Sequence, residues 1–247
     1  MGLPGNISAC LFDLDGVLTG TAVLHKKAWK QTFDGFLAER DGEDFEPFTD
    51  SDYQNYVDGR PRADGVRTFL ESRRIALPEG APDDPPTAET INGVGNRKNE
   101  LLLKVIDQEG VDPYPGSVHY IKTAYDQGFK IAVVTSSANG KAVLEAADLT
   151  RYVHIRIDGV VITDRGLRGK PAPDSFLAAA EALAVRPNDA AVFEDALSGV
   201  EAGRAGKFGY VVGVDRVGQA DALREHGADI VVTDLENLMT GSVSDGR

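Results

Sequence analysis

The sequence is almost without cysteine, one residue in 247. A lone Cys10 cannot close an internal disulfide, so a packed core must hold the fold, and a reducing compartment suits the chain. Set in an apolar run, Cys10 reads as a small buried hydrophobe. Basic residues are scarce as well: 26 Lys and Arg against 39 Asp and Glu leave a formal charge of −13. That balance argues against a nucleic-acid partner, because affinity for a polyanion comes from Lys and Arg displacing counterions. Any anionic ligand must be caught by a local basic site. Missing, too, is an apolar stretch near the ~20 residues that a membrane helix needs. Residues 1–8 lack the charged and apolar zones of a signal peptide. A cytoplasmic protein without membrane association is expected. No long apolar surface helix asks for an obligate partner, so a monomer is expected.

What is present is enough chain for a core domain plus a smaller inserted one. Four short apolar, β-branched runs read as buried parallel strands, at 9–12, 131–134, 190–193 and 210–214, with 230–232 as a fifth. Helical patterns lie between them, at 116–127, 141–147, 174–183 and 198–205. Strands alternating with helices give an α/β, doubly wound (Rossmann-like) parallel-sheet core. Residues 21–112 have a different texture, with helical periodicity at 26–36, 66–74 and 97–106 and no convincing buried strand. Polar or Pro-rich loops interrupt them at 40–52 and 78–87. The division is therefore residues 1–20 and 113–247 as the α/β core, with 21–112 as an inserted small α-helical domain. Asp112-Pro113-Tyr114-Pro115-Gly116 marks a stiff re-entry. The small polar residues 241–247 read as frayed.

The strongest motif is Phe12-Asp13-Leu14-Asp15-Gly16-Val17-Leu18-Thr19. An apolar strand delivers two carboxylates to its carboxyl end, where open α/β sheets place their ligands. Period-two alternation aims both the same way, and Gly16 permits a sharp exit. Asp13 can then attack phosphorus while Asp15 donates or takes a proton. A calcium loop of the EF-hand type fails on spacing, since its glycine stands sixth and it lies between helices.

Thr135 ends a second apolar run, with Ser136 and Asn139 just beyond it as candidate substrate-binding residues; Thr135 offers a hydroxyl and backbone N–H groups to a phosphoryl oxygen. Taken alone, Thr-Ser-Ser after a strand is more often a helix cap. Lys170, before Pro171, puts an ammonium in a stiff segment where it can balance negative charge. Glu194 and Asp195 end another strand. Four carboxylates together would repel strongly unless a divalent cation neutralised them, and oxygen-only ligands suit Mg²⁺. The candidate metal set is Asp13, Asp15, Glu194 and Asp195; the candidate catalytic set is Asp13, Asp15, Thr135 and Lys170.

In order and spacing these four elements resemble the haloacid dehalogenase superfamily of phosphotransferases, and the resemblance runs through essentially the whole chain. It implies that residues 21–112 are that superfamily's small helical cap. Within the superfamily, the inserted segment is similar to that of the β-phosphoglucomutase group. Carrying this are Thr21-Ala22, His25 and Trp29 after the hinge, Gly59 with Arg62 in a loop, Arg97-Lys98-Asn99 in a later helix, and Tyr114-Pro115-Gly116 at the return. The resemblance implies that Arg62 grips a non-transferring phosphate, that His25 lies near hinge and substrate, and that Lys98 reaches a sugar hydroxyl or phosphate. Arg's planar fork suits that task. Without the pattern, His25 is an ordinary partly buried histidine, Trp29 packs between insert and core, and Lys98 is a solvated helix-face charge. Gly20 and Asp58 depart from the group, which carries an acid at the first position and a lysine at the second.

The function expected is Mg²⁺-dependent phosphoryl transfer through an aspartyl phosphate, interconverting β-D-glucose 1-phosphate and glucose 6-phosphate through the 1,6-bisphosphate. Phosphatase action on small sugar phosphates uses the same residues with water as acceptor. A non-catalytic phosphate-binding protein is the third reading, disfavoured because Asp13, Asp15, Lys170 and Asp195 are all present.

Overall fold

The computed structural model describes residues 1–240, so the tail 241–247 lies outside the described residues. Among the described residues, no helix is long and apolar enough to cross a membrane. The chain divides into two compact units, one from Met1–Gly20 and the chain from Val111 onward, the other Thr21–Gly110.

The first unit is built on one sheet of six parallel strands: β1 (Ala9–Phe12), β2 (Lys130–Val134), β3 (Ile155–Ile157), β4 (Ala190–Glu194), β5 (Tyr210–Val214) and β6 (Ile230–Val232). Their order is β3-β2-β1-β4-β5-β6, every pairing parallel. Strand order reverses between β1 and β4, the switch point where a doubly wound sheet opens a crevice at its carboxyl edge. β1 and β4 are buried along their whole length. A strand covered on both faces must be apolar throughout, which is why these two were visible as unbroken hydrophobic runs. β3 was not anticipated. It is a three-residue edge strand whose middle residue is Arg156, so it carries neither the length nor the continuous apolarity of a buried strand.

Register does the rest. Phe12 pairs with Val133 on one side and Phe193 on the other. One residue on, Asp13 therefore stands level with Glu194, and its N–H donates to Phe193 O at 2.9 Å. Behind these strand ends Phe12 stacks on Phe193 with centroids 4.4 Å apart, and Tyr120 meets both rings edge-on. Such aromatic pairs contribute about 0.5–1.5 kcal/mol beyond their buried area, and here they also lock the two acid-bearing strand ends in step.

The second unit is helical, and among its described residues there is no strand. Helices Thr21–Asp41 and Ile91–Glu109 run past both ends of the marked periodicity, the latter with Ile91 and Val94 buried in its first turn, whereas Arg62–Ser72 begins earlier and stops sooner than the marked 66–74. Their core holds Trp29, Phe33, Phe48 and Phe69. The stretch read as the loop 40–52 contains a 3₁₀ turn at Gly42–Asp44 and a short helix, Asp50–Asp52, started by a reciprocal Thr49–Asp52 capping box. The second unit ends two positions before the anticipated boundary. Asp112 O already accepts Gly20 N–H at 2.8 Å, which ties residue 112 to the first unit.

Candidate active site

β1 ends at Phe12, so strand alternation stops before Asp15 and a turn sets that residue's place instead. Gly16 N–H donates to Thr19 O at 2.8 Å, and both Leu18 and Thr19 N–H return to Leu14 O. Gly16 has φ +95°, and a Cβ there would fall 1.8 Å from Asp195 Oδ2. No other residue type satisfies both the backbone and the space. Asp13 and Asp15 consequently meet different partners. Lys170 Nζ donates to Asp13 Oδ1 at 2.5 Å, whereas Asp15 Oδ2 accepts the Thr135 hydroxyl at 3.1 Å. The Thr135 oxygen in turn accepts Ser137 N–H at 3.1 Å, which orients it.

Lys170 is fully buried, and its ammonium also lies 2.5 Å from Glu194 Oε1 and donates to Val134 O at 3.1 Å. Burial alone would lower its pKa, but the Asp13 and Glu194 carboxylates hold it above the ordinary lysine value, so the ammonium stays charged. Burial pushes the Asp13 carboxyl well above the usual range; Lys170 pulls it down, but Glu194 and Asp15 add to the rise. Asp13, Glu194 and Asp195 bring one oxygen each to within 4.8 Å of one another, all three buried. Asp15 is not in that group. With all three ionised, the single Lys170 ammonium would leave two negative charges uncompensated in a buried space. That residual charge, presented on oxygen alone, fits a hard divalent cation.

Ser136 follows Thr135 in the loop after β2, and Asn139 occupies the position before helix Gly140–Ala146, its N–H donating to Ser137 Oγ at 3.2 Å. The carboxyl ends of the strands thus bring together Asp13, Asp15, Thr135, Glu194 and Asp195 with Lys170, while Ser136 and Asn139 lie in the segment that follows Thr135.

The other candidates belong to the helical unit. Lys98, far from being solvated, is buried; its ammonium lies 3.0 Å from His25 Nδ1 and 5.0 Å from the centre of the Trp29 ring. An ammonium has no lone pair, so opposite a charged Lys98 the Nδ1 atom is the acceptor. Trp29 stacks on Phe33 at 5.0 Å and serves this unit's own core. Arg62 opens helix Arg62–Ser72 after the turn containing Gly59, and its stem lies across Gly95, where a Cβ would come 3.2 Å from Arg62 Cγ. Gly95 and Lys98 are one helical turn apart, so one face of helix Ile91–Glu109 assembles Arg62, Lys98, His25 and Trp29. Burial lowers the Arg62 pKa without removing its charge. Thr21 is buried at the first position of its helix.

Two contributors were not foreseen: Arg216, whose Nε donates to Gly16 O at 2.8 Å, and Gln219, whose amide donates to Asp195 O at 2.9 Å. Neither sits in a motif, and only the sheet order brings the end of β5 behind β4.

Known proteins resemble this chain in sequence and in fold. Residues 7–207 match the model of the haloacid dehalogenase-like hydrolase family. A β-phosphoglucomutase of Mycobacterium bovis is 56% identical over 246 residues, covering 97% of this chain and 94% of that protein. One of Bacillus subtilis is 32% identical, covering 94% and 92%. Among solved structures, a β-phosphoglucomutase of Clostridium difficile superposes with a TM-score of 0.74 at 24% identity, over 94% of this chain and 93% of that one.

Proposed function

Because the chain belongs to the haloacid dehalogenase-like family of enzymes, we propose that it is a phosphomutase acting on glucose phosphates through a phosphorylated Asp13. The observation that carries the chemistry is the separation of the two aspartates: Asp13 against the Lys170 ammonium, Asp15 against the Thr135 hydroxyl. Two carboxylates with different partners can take two roles.

In the proposed reaction Asp13 attacks one phosphoryl group of bound β-D-glucose 1,6-bisphosphate in line, the P–O bond to the sugar breaks, and Asp15 gives its proton to the leaving oxygen, which departs as a hydroxyl of the sugar monophosphate. Lys170 offsets the charge that builds on the Asp13 side, and the backbone N–H groups after Thr135 face the phosphoryl oxygens. Asp15, now a carboxylate, takes the proton of the 6-hydroxyl of an incoming β-D-glucose 1-phosphate as that oxygen attacks the aspartyl phosphate and the bond from phosphorus to Asp13 breaks. The β-D-glucose 1,6-bisphosphate so formed turns around and is dephosphorylated at its other end, giving glucose 6-phosphate from β-D-glucose 1-phosphate. Asp13, Glu194 and Asp195 would hold Mg²⁺, which when bound supplies charge neutralisation for the transferring phosphoryl group. Arg62 grips the non-transferring phosphate, with Lys98 and His25 reading the sugar.

Supporting the mutase over a phosphatase is the M. bovis relative, 56% identical across nearly the whole chain. The test is phosphorus NMR of the protein with Mg²⁺, β-glucose 1-phosphate and a trace of the 1,6-bisphosphate. Glucose 6-phosphate should grow without matching inorganic phosphate; release of inorganic phosphate alone would make the protein a phosphatase.

A further inference from the structure

Behind the site, the loop after β5 is tightly held. Asp215 Oδ1 accepts the N–H groups of Val217, Gly218 and Gln219 at 3.2, 2.7 and 2.9 Å. From this loop the Arg216 guanidinium reaches three separate segments. Nε donates to Gly16 O at 2.8 Å, Nη2 lies 3.4 Å from Val17 O, and Nη1 donates to Thr233 O at 2.9 Å after β6. Its plane covers the Tyr114 ring, 3.7 Å from the centroid, and Asp234 Oδ2 lies 3.8 Å from Nη1. Val17 O also takes the Ser117 hydroxyl at 2.6 Å, whereas Gly16 O has, among the described residues, no hydrogen-bond donor other than Arg216. Tyr114 N–H donates to Leu18 O at 3.0 Å, so ring and backbone of Tyr114 join the same turn from two sides.

We infer that Arg216 is a positioning residue for Asp15: it pins the carbonyl immediately after the acid/base, and with Tyr114 braces the turn that aims the Asp15 carboxyl. The inference rests on Asp15 being the proton donor of the proposed reaction. Planarity is essential to the brace, because one rigid fork donates to several carbonyls while its face stacks on an aromatic ring; a lysine ammonium does neither at once. Displacing a proton donor by about 1 Å costs on the order of a hundredfold in rate. The cost falls only where the leaving oxygen needs a proton. Sugar alkoxides need one, and p-nitrophenolate, a stable anion near neutral pH, does not.

Two substrates therefore test it. Arg216→Ala should lower kcat/KM for β-glucose 1,6-bisphosphate about 30-fold and for p-nitrophenyl phosphate less than threefold, with Arg216→Lys recovering little. Should the alanine variant not fold, as judged by circular dichroism, the lysine variant carries the same comparison alone. Equal losses on both substrates mean that Arg216 only supports the fold, and unchanged kinetics mean that the turn holds itself; either result overturns the inference. Asp15→Asn in the same assay separates this failure from failure of the mechanism. If that variant keeps full activity on the bisphosphate, Asp15 is not the acid and the proposed function itself falls.

Discussion

The two units hold their polar groups in opposite ways. In the α/β unit, Asp13, Glu194 and Asp195 sit buried at strand ends, with Lys170 brought to them from the loop before helix Asp174–Ala182, and charge fixes charge: Asp13 is held by Lys170, and Lys170 by Glu194 and Val134 O. In the helical unit Arg62, Lys98 and His25 are gathered on a helix face by aromatic stacking and by a glycine that lets a side chain lie flat. A sheet edge fixes atoms to within the pleat, which suits bond making; a helix face tolerates exchange of one long side chain for another, which suits substrate choice. Changes to Asp13, Lys170 or the carboxylate cluster of the first unit should then abolish transfer from every phosphate ester, and changes in the second should alter only which ester is taken.

The sharpest break of that contrast is Asp13→Asn. It should reduce turnover of both β-glucose 1-phosphate and p-nitrophenyl phosphate by about 10⁴-fold or more while leaving the far-ultraviolet spectrum unchanged. Lys170→Met comes next, because it strands buried carboxylates without their ammonium. A loss of about 3–5 kcal/mol in urea denaturation is expected without metal, together with activity on either ester. Gly16→Ala forces a Cβ into Asp195 and should cost roughly 10²-fold on both esters, read from initial rates. In the helical unit, Arg62→Ala should lower kcat/KM for the sugar phosphate roughly 10–100-fold, the worth of a charged hydrogen bond, and leave p-nitrophenyl phosphate within threefold. Equal loss on both esters would erase the proposed division of labour.

Smallest is a pH effect confined to the α/β unit. The raised Asp13 pKa means that the folded, metal-free protein binds a proton which the unfolded chain has already released. Stability from this group is complete below the unfolded carboxylate value near 4 and declines as pH rises through the raised folded value. Bound Mg²⁺ favours the ionised form, so the gain in melting temperature on adding Mg²⁺ should grow as pH rises from 5 to 8. A gain independent of pH would place the metal away from Asp13.

Legibility in the sequence followed the same contrast. The strands flanking the switch point were readable because burial on both faces demands unbroken apolar runs, and Asp13, Glu194 and Asp195 were readable as the polar residues that end them. The division of labour within the Asp13–Asp15 pair was not. Alternation suggested a shared direction, whereas β1 stops at Phe12 and the Gly16 turn sends Asp15 to Thr135. In the helical unit the spacing located the helices, but a lysine on an amphipathic helix reads the same whether solvated or buried over a tryptophan. Arg216 had no local signature at all. Its meaning comes from strand order, which returns a loop two hundred residues later to Gly16 O.

The pairing of the two crossing segments has an evolutionary consequence. Thr19 bridges Pro113, and Gly20 N–H bonds Asp112 O, so the chain leaves the sheet unit and re-enters it at the same place. Closing a loop costs little more when the loop is doubled in length. Whatever is spliced between those neighbouring ends, the strand register that aligns Asp13 with Glu194 is unaffected. The helical unit is therefore an exchangeable cassette: a lineage can trade it for a longer, shorter or differently charged one and acquire a new substrate while inheriting the chemistry intact.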